Sequence, residues 1–184
     1  MVHGLLLAAG AGRRMGTPKA LIHDADGTSW LVRSLATLRA GGCAEVTVVL
    51  GAEAERARDL IPLGVRVVVA ADWAEGMGAS LRAGLEALGA VPEATSVLVG
   101  LVDLPDVGPA VVGRVLAKGS DVETLRRAAY DGVPGHPVLL GRDHWVGVID
   151  TATGDQGARA YLADRDVELV ECGDLATGAD VDSR

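Results

Sequence analysis

Leu7-Ala8-Ala9-Gly10-Ala11-Gly12-Arg13-Arg14-Met15-Gly16-Thr17-Pro18-Lys19 is the stretch from which the rest of the chain can be read. It follows an apolar run, residues 4–9, that predicts a strand, and it places three glycines ahead of a lysine and beside two arginines. A parallel strand ending in such a loop can aim backbone N–H groups at an anion, because glycine permits positive φ and close approach. Two familiar glycine loops fail on spacing. A Walker loop needs its lysine directly after the last glycine, with a hydroxyl next, whereas Lys19 lies three beyond Gly16 and is followed by Ala20. The dinucleotide fingerprint needs its third glycine three after the second, and Gly12 to Gly16 is four. What is left is a phosphate cradle of another kind or a plain glycine turn with solvated arginines, and the loop alone leaves both open.

Outward from that loop, short β-branched runs alternate with segments of helical spacing, the pattern of βα units and a mainly parallel sheet. Strands are predicted at 4–9, 45–50, 65–70 and 96–101, and helices at 29–40, 52–61, 78–88 and 109–118, with Thr28 as N-cap of the first helix. Pro109 suits the start of the last of these, where a missing N–H costs nothing. The rhythm changes after Gly119. Residues 122–130 and 137–140 flank the turn dipeptide Asp131-Gly132, so a β-hairpin or small lobe is expected beside the parallel sheet. A helix near 156–163 and a strand near 167–171 complete the pattern. The expectation is a three-layer α/β/α, Rossmann-like fold with a mainly parallel central sheet, formed by one domain of residues 1–184.

Composition agrees with that architecture and excludes several function classes. The chain has 184 residues, 49% of them hydrophobic and none of them Phe, so its core must be built from Val, Leu, Ile and Ala. A formal charge of -8 argues against nucleic acid or an anionic membrane surface as partner, since both are bound by basic surfaces. An anionic ligand must instead meet a local cluster, and Arg13, Arg14 and Lys19 form one. The apolar start, residues 2–11, lacks a basic n-region and is too short to span a bilayer. Cys43 and Cys172 have no ligand or redox spacing and read as buried thiols in a reducing cytoplasm.

Further constellations bear on chemistry. Asp103, in Val99-Gly100-Leu101-Val102-Asp103-Leu104-Pro105, stands just past an apolar strand, where open α/β sheets collect ligands. One hard carboxylate plus phosphate oxygens suits Mg²⁺. In Asp180-Val181-Asp182 the alternation puts both carboxylates on one side if the segment is extended. Ser80, near the start of the helix predicted at 78–88, offers a hydroxyl beside free N–H groups, and His136 stands in Gly135-His136-Pro137-Val138. No strained nucleophile elbow or cysteine–base pair is present, and His3, His23 and His144 lack zinc spacing.

The loop at Leu7 to Lys19 resembles the signature of the MobA-like nucleotidyltransferases, Leu-Ala-Ala-Gly-x-Gly-x-Arg-Met-Gly-x-x-Lys. Gly76-Met77-Gly78-Ala79-Ser80-Leu81-Arg82-Ala83-Gly84-Leu85 is similar to that family's Gly-Met-x-x-Ser-Leu-Arg stretch. Gly135-His136-Pro137-Val138 and Gly154-Asp155-Gln156-Gly157-Ala158-Arg159 look like motifs of its molybdenum cofactor cytidylyltransferase branch. The resemblance implies that the backbone from Leu7 and Ala8 through Ala9, Gly10, Ala11 and Gly12 meets a nucleotide. It also implies that Arg14 and Lys19 neutralise the nucleotide's phosphates and that Asp103 binds the metal, with Asp180 and Asp182 as a second metal contact. Ser80 then touches the base and His136 the second substrate, while Arg13 falls at a variable position and reads as a solvated charge, as Arg82 does. Residues 1–118 become the nucleotide-binding half and 119–184 the acceptor-binding part.

The activity so implied is Mg²⁺-dependent transfer of CMP from CTP to the phosphate of a molybdopterin-type cofactor, with pyrophosphate released. A molybdoenzyme would be the downstream partner. Two alternatives stay open: transfer of GMP or another nucleotide to a phospholactate-like or sugar phosphate acceptor, and a non-catalytic nucleotide-binding cofactor-insertion protein.

Overall fold

The computed structural model describes residues 1–181. Its centre is a seven-stranded sheet in the order β3-β2-β1-β4-β6-β5-β7. β1 (Val2–Ala8), β2 (Glu45–Leu50), β3 (Arg66–Val69) and β4 (Ser96–Leu101) are parallel neighbours. β6 (Val133–Gly141) runs antiparallel to β4 and to β5 (Leu125–Tyr130), and β7 (Glu168–Glu171) lies parallel to β5 at the edge.

Helices cover both faces, which is why the central strands are mostly apolar. Alternation along β1 sends Leu6 and Ala8 to one side and Leu5 and Leu7 to the other. On the first side lie α1 (Trp30–Ala40), α2 (Ala54–Arg58) and α4 (Pro109–Leu116), contributing Leu31, Leu35, Leu38, Ala57, Val111, Val112 and Val115. On the second lie α3 (Met77–Gly89), α5 (Trp145–Thr151) and α6 (Arg159–Leu162), contributing Leu81, Leu85, Leu88, Trp145, Val148, Tyr161 and Leu162. The edge strands are the polar ones: β3 opens on an exposed Arg66, and Glu168 and Glu171 bound β7, which discourages edge-to-edge pairing.

The expected α/β/α fold is present, with local differences that have physical causes. The hairpin turns at Asp131 and Gly132, both left-handed at φ 51° and 76°, and its strands extend the central sheet, because β6 finds its partner in β4. Ser29, and not Thr28, caps α1: its Oγ accepts from Val32 N–H at 3.3 Å, while the Thr28 carbonyl is occupied by Asp24 N–H. The helix expected at 52–61 shrinks to α2, since Ala52 N–H is drawn away to the Ala9 carbonyl and Pro62 closes the other end. Gly157, at φ 53°, splits the segment at 156–163 into a short 3-10 turn (Gly154–Gln156) and α6. α5 was not expected, since Val146, Val148 and Ile149 give it a poor helix propensity that tertiary packing overrides.

Both cysteines are free and buried, and burial pushes the Cys43 thiol up to about 12, so it is a packing group and not a nucleophile. Among the described residues no helix is long and apolar enough to cross a membrane.

Candidate active site

The chain leaves β1 for β2 on one side of the sheet centre, and β4 returns on the other side of β1. Connections therefore diverge between β1 and β4, and such a switch point opens a crevice beyond the carboxyl ends of the strands. A cleft of about 480 Å³ occupies that place, large enough for a nucleotide. Its walls bring together Leu7, Ala8, Ala9, Gly10, Ala11, Gly12, Arg14, Lys19, Ser80 and Asp103, all singled out from the sequence. Arg13 lines it too, so it is not merely a solvated charge remote from the site.

The loop owes its shape to one residue above all. Gly12 sits at φ +60°, and a Cβ there would lie 1.9 Å from the Thr17 carbonyl oxygen, so any side chain would have to push that backbone aside. Met15 N–H closes the turn onto the Gly12 carbonyl at 2.9 Å. Lys19 follows from a 3-10 turn, Lys19–Leu21, that buries Ala20 and leads to a buried Ile22 in the core, which fixes where the lysine stem starts. Its ammonium donates to Asp103 Oδ2 at 2.6 Å, with the two side chains only 16% and 17% exposed.

Asp103 Oδ1 is buried and, among the described residues, has no hydrogen-bond partner. A buried carboxylate oxygen left unpaired is costly, and a hard cation is the partner that would satisfy it without a further donor. Among the described residues no group of three or more His, Cys, Asp or Glu side chains is placed to hold a metal, so the described side chains do not complete a metal cage by themselves. The C-terminal segment reaches the same point: Val181 N–H donates to the Asp103 carbonyl at 3.1 Å, and Asp106 Oδ2 accepts from both Thr177 N–H and Thr177 Oγ at 2.6 Å. Asp180, exposed, is thereby delivered next to the Asp103 loop, and Asp182 lies outside the described residues.

The opposite wall is the start of α3. Gly76, at φ +118°, is its N-cap, and a Cβ there would be 2.6 Å from Asp155 Oδ1 and from the Gly154 carbonyl oxygen. That close approach packs the Gly154–Gln156 turn against the helix start and puts Asp155 in the cleft. Ser80 is buried in the second turn of the helix. Arg82 is not solvated as expected: it donates to the Ala152 carbonyl at 2.6 Å and pairs with Glu75 at 2.8 Å, stapling this wall together. The sequence reading missed Trp73, which borders the cleft while Trp30 and Trp145 are buried with their indole N–H groups bonded to Asp24 and the Leu140 carbonyl. A large aromatic residue between β3 and α3, where a loop would normally be polar, was the available signal.

The sequence profile described as the MobA-like NTP transferase domain matches residues 4–170. The chain belongs to this family. It is a nucleotidyltransferase, with the loop, Lys19 and Asp103 gathered at the switch point. Among relatives, the nicotine blue oxidoreductase of Paenarthrobacter nicotinovorans is 38% identical over 99% of this chain and 92% of that protein. The probable molybdenum cofactor guanylyltransferase of Rhodopirellula baltica is 36% identical over 56% of this chain and 49% of its own length. Among solved structures, Rv0371c of Mycobacterium tuberculosis aligns with a TM-score of 0.80 and 31% identity over 99% of this chain and 92% of that one. A complex of Rv0371c with manganese aligns at 0.78 with 28% identity, covering 98% and 93%.

One residue proposed from the family motifs stands apart. His136 does not line the cleft; it lies on β6, half-buried, next to a cis peptide bond with Pro137, and its carbonyl accepts from Tyr130 Oη at 2.6 Å. Burial pushes its imidazole down to about 4, with Arg127 and Arg159 adding repulsion, so it is neutral at physiological pH. Arg127 was also missed: an arginine inside a strand of a sheet covered on both faces is a departure from apolar pattern that counting motifs does not register.

Proposed function

We propose that this nucleotidyltransferase transfers CMP from CTP to the phosphate of a molybdopterin-type cofactor, with Mg²⁺, and releases pyrophosphate. The observation that carries the reading is the pairing of Lys19 with Asp103 beneath the glycine loop, with the second Asp103 oxygen buried and without a hydrogen-bond partner among the described residues. In it, backbone N–H groups of residues 9–12 and the cations Arg14 and Lys19 hold the triphosphate and stabilise charge on the departing pyrophosphate. Asp103, with Asp180 and Asp182 nearby in sequence reach, would hold Mg²⁺, which when bound supplies positive charge to the phosphate oxygens. A phosphate monoester is largely dianionic at neutral pH, with a second pKa near roughly 6, so alignment and not a general base is what the protein must provide. Ser80 faces the nucleotide and His136 the acceptor.

The test is incubation with each of the four nucleoside triphosphates, Mg²⁺ and molybdopterin cofactor, followed by mass analysis. A cytidylylated pterin and pyrophosphate are expected. A guanylylated product would move the chain to the specificity named for the Rhodopirellula relative, and no nucleotidylated product with any nucleotide overturns the reading. The 38% identity to a nicotine blue oxidoreductase favours a second reading, in which the same cleft serves an oxidoreductase reaction. Oxidation of NADH or NADPH in the presence of nicotine blue, without any nucleotidylated product, would select it.

A further inference from the structure

Beyond β4, three groups lie near one another and are not used by the nucleotide cradle. Arg127 on β5 pairs across the ladder with Val138 on β6, and directly opposed side chains share a face. That face is the one carrying Val138 and Leu140 beneath α3, α5 and α6. His136, two residues before Val138, lies within electrostatic reach of both Arg127 and Arg159, and Arg159 opens α6, which packs on the same side. The last rung between β4 and β6 is Val99 with Val138, and moving back along β6 from there advances along β4 towards Leu101 and Asp103. The group thus lies at the cleft end of the sheet, beside the nucleotide site.

Its charge is uncompensated. Arg127 Nε donates to the Gly135 carbonyl at 3.0 Å, which orients the guanidinium, yet among the described residues neither Arg127 nor Arg159 forms an ion pair. The adjacent Arg126, facing the other side, makes the contrast: it pairs with Glu168 at 2.7 Å and donates to the carbonyls of Val115 and Gly119. Arg127 and Arg159 are close enough to repel, since burial and Arg159 both lower the Arg127 pKa, and both arginines act on His136. In a chain with 25 acidic residues and a charge of -8, a half-buried guanidinium and an exposed one near it, neither paired with a carboxylate among the described residues, make a local basic spot that a bound anion would neutralise.

We propose that Arg127 and Arg159 form a subsite for the phosphate dianion of the acceptor, with His136 lending a hydrogen bond. The assignment rests on the nucleotidyl-transfer reading for what the acceptor is, not for the existence of the site. Two guanidinium forks match a tetrahedral dianion in charge and geometry, whereas a carboxylate offers one charge and one plane. A neutral imidazole can donate one hydrogen bond without adding a third positive charge.

The test is calorimetric titration of inorganic phosphate into the full chain saturated with a non-hydrolysable CTP analogue, so that the cradle is filled. Saturable binding at one site is expected, at least about tenfold weaker in Arg127→Gln and in Arg159→Gln, and acetate should bind at least about tenfold more weakly than phosphate. Analogue affinity should stay within about twofold of wild type in both variants. Unchanged phosphate affinity in the variants overturns the proposal, and so does an analogue affinity that falls in step with it. Arg159 is exposed, so its variant keeps the test decisive if Arg127→Gln fails to fold. Histidine NMR adds a readout that a packing role would not move: phosphate should raise the His136 pKa from about 4 in wild type and leave it unmoved in either variant. If the analogue does not bind but phosphate still requires both arginines, the CTP reading fails and the subsite stands.

Discussion

The cleft and the basic group beside it handle charge in opposite ways. On the β1–β4 side, a lysine is set against a carboxylate at 2.6 Å, and the walls are mostly backbone. On the β6–β5 side, two arginines and a neutral imidazole pair with no carboxylate among the described residues, and the group is built of side chains on strands and a helix start. The difference suits different guests. A triphosphate bound with a metal needs both signs of charge nearby, the carboxylate for the metal and the cations for the phosphate oxygens, whereas a bare phosphate monoester needs cations alone. Each variant below either erases that contrast or makes it measurable.

The largest effect should come from Asp103→Asn, which keeps the shape and an acceptor for Lys19 but removes the charge. Turnover should fall roughly 10²–10³-fold while the nucleotide dissociation constant, followed by quenching of Trp73 fluorescence, changes by no more than about threefold. Wild-type turnover would mean that the carboxylate merely anchors Lys19 and that the two places do not differ in chemistry.

Lys19→Ala comes next. Both triphosphate affinity and turnover should fall roughly ten- to a hundredfold, because the same cation meets the ground state and the leaving group. Phosphate binding at Arg127 and Arg159 should be unaffected. A loss at both sites would show one continuous basic surface in place of two.

How much of this was legible beforehand follows the same divide. The cradle is a local object: thirteen consecutive residues carry its glycines and its lysine, and their spacing alone eliminated two other loops. Asp103 was readable because a polar residue ended an apolar strand. The alternation of strands and helices and the parallel character of the sheet were readable as far as β4, where each βα unit repeats the last. What failed to register was assembled by tertiary contact. Arg127 and Arg159, with 31 residues between them, come within electrostatic reach only because α6 packs on the face of the sheet that carries Val138, and no local pattern announces that. The shortened α2 likewise depends on Ala52 being claimed by the Ala9 carbonyl, a bond between distant segments. Arg82 read as solvent-facing because its partner, the Ala152 carbonyl, is 70 positions away.

A pair of glycine substitutions separates backbone-built from side-chain-built architecture at smaller amplitude. Gly12→Ala must displace the Thr17 carbonyl as well as hold a left-handed φ, so it should cost about 1–3 kcal/mol and lower nucleotide affinity with it. Gly154→Ala, at φ +51° with no atom within 4 Å of the added carbon, should cost only about 1–2 kcal/mol and leave nucleotide affinity alone. Chemical denaturation and calorimetry on both variants check this. Equal losses of affinity would mean that the loop is shaped by its ligand and not by Gly12.

The smallest effect is a pH dependence of stability, and its sign follows from His136. The imidazole titrates near 6.5 in the unfolded chain and near 4 in the fold, so protons bind the unfolded state more readily. Its contribution is complete above about pH 6.5 and is lost as pH falls from there towards 4. His3, on the β1 side and bonded to Thr47 Oγ at 2.9 Å, is lowered in the same direction, chiefly by burial and then by Arg66, with Glu45 opposing. The depressed carboxylates Asp121, Asp174, Glu168 and Glu171 add their own loss, but only at more acid pH, so the interval between about 6.5 and 5 belongs to the histidines. The thermal midpoint should decline across that interval by a few degrees, less so in His136→Gln, with a smaller relief in His3→Gln. Phosphate, by neutralising Arg127 and Arg159, should flatten the slope in wild type and do nothing to it in His136→Gln. A slope that phosphate leaves unaltered in both would detach His136 from the two arginines and leave burial as the sole reason for its neutrality.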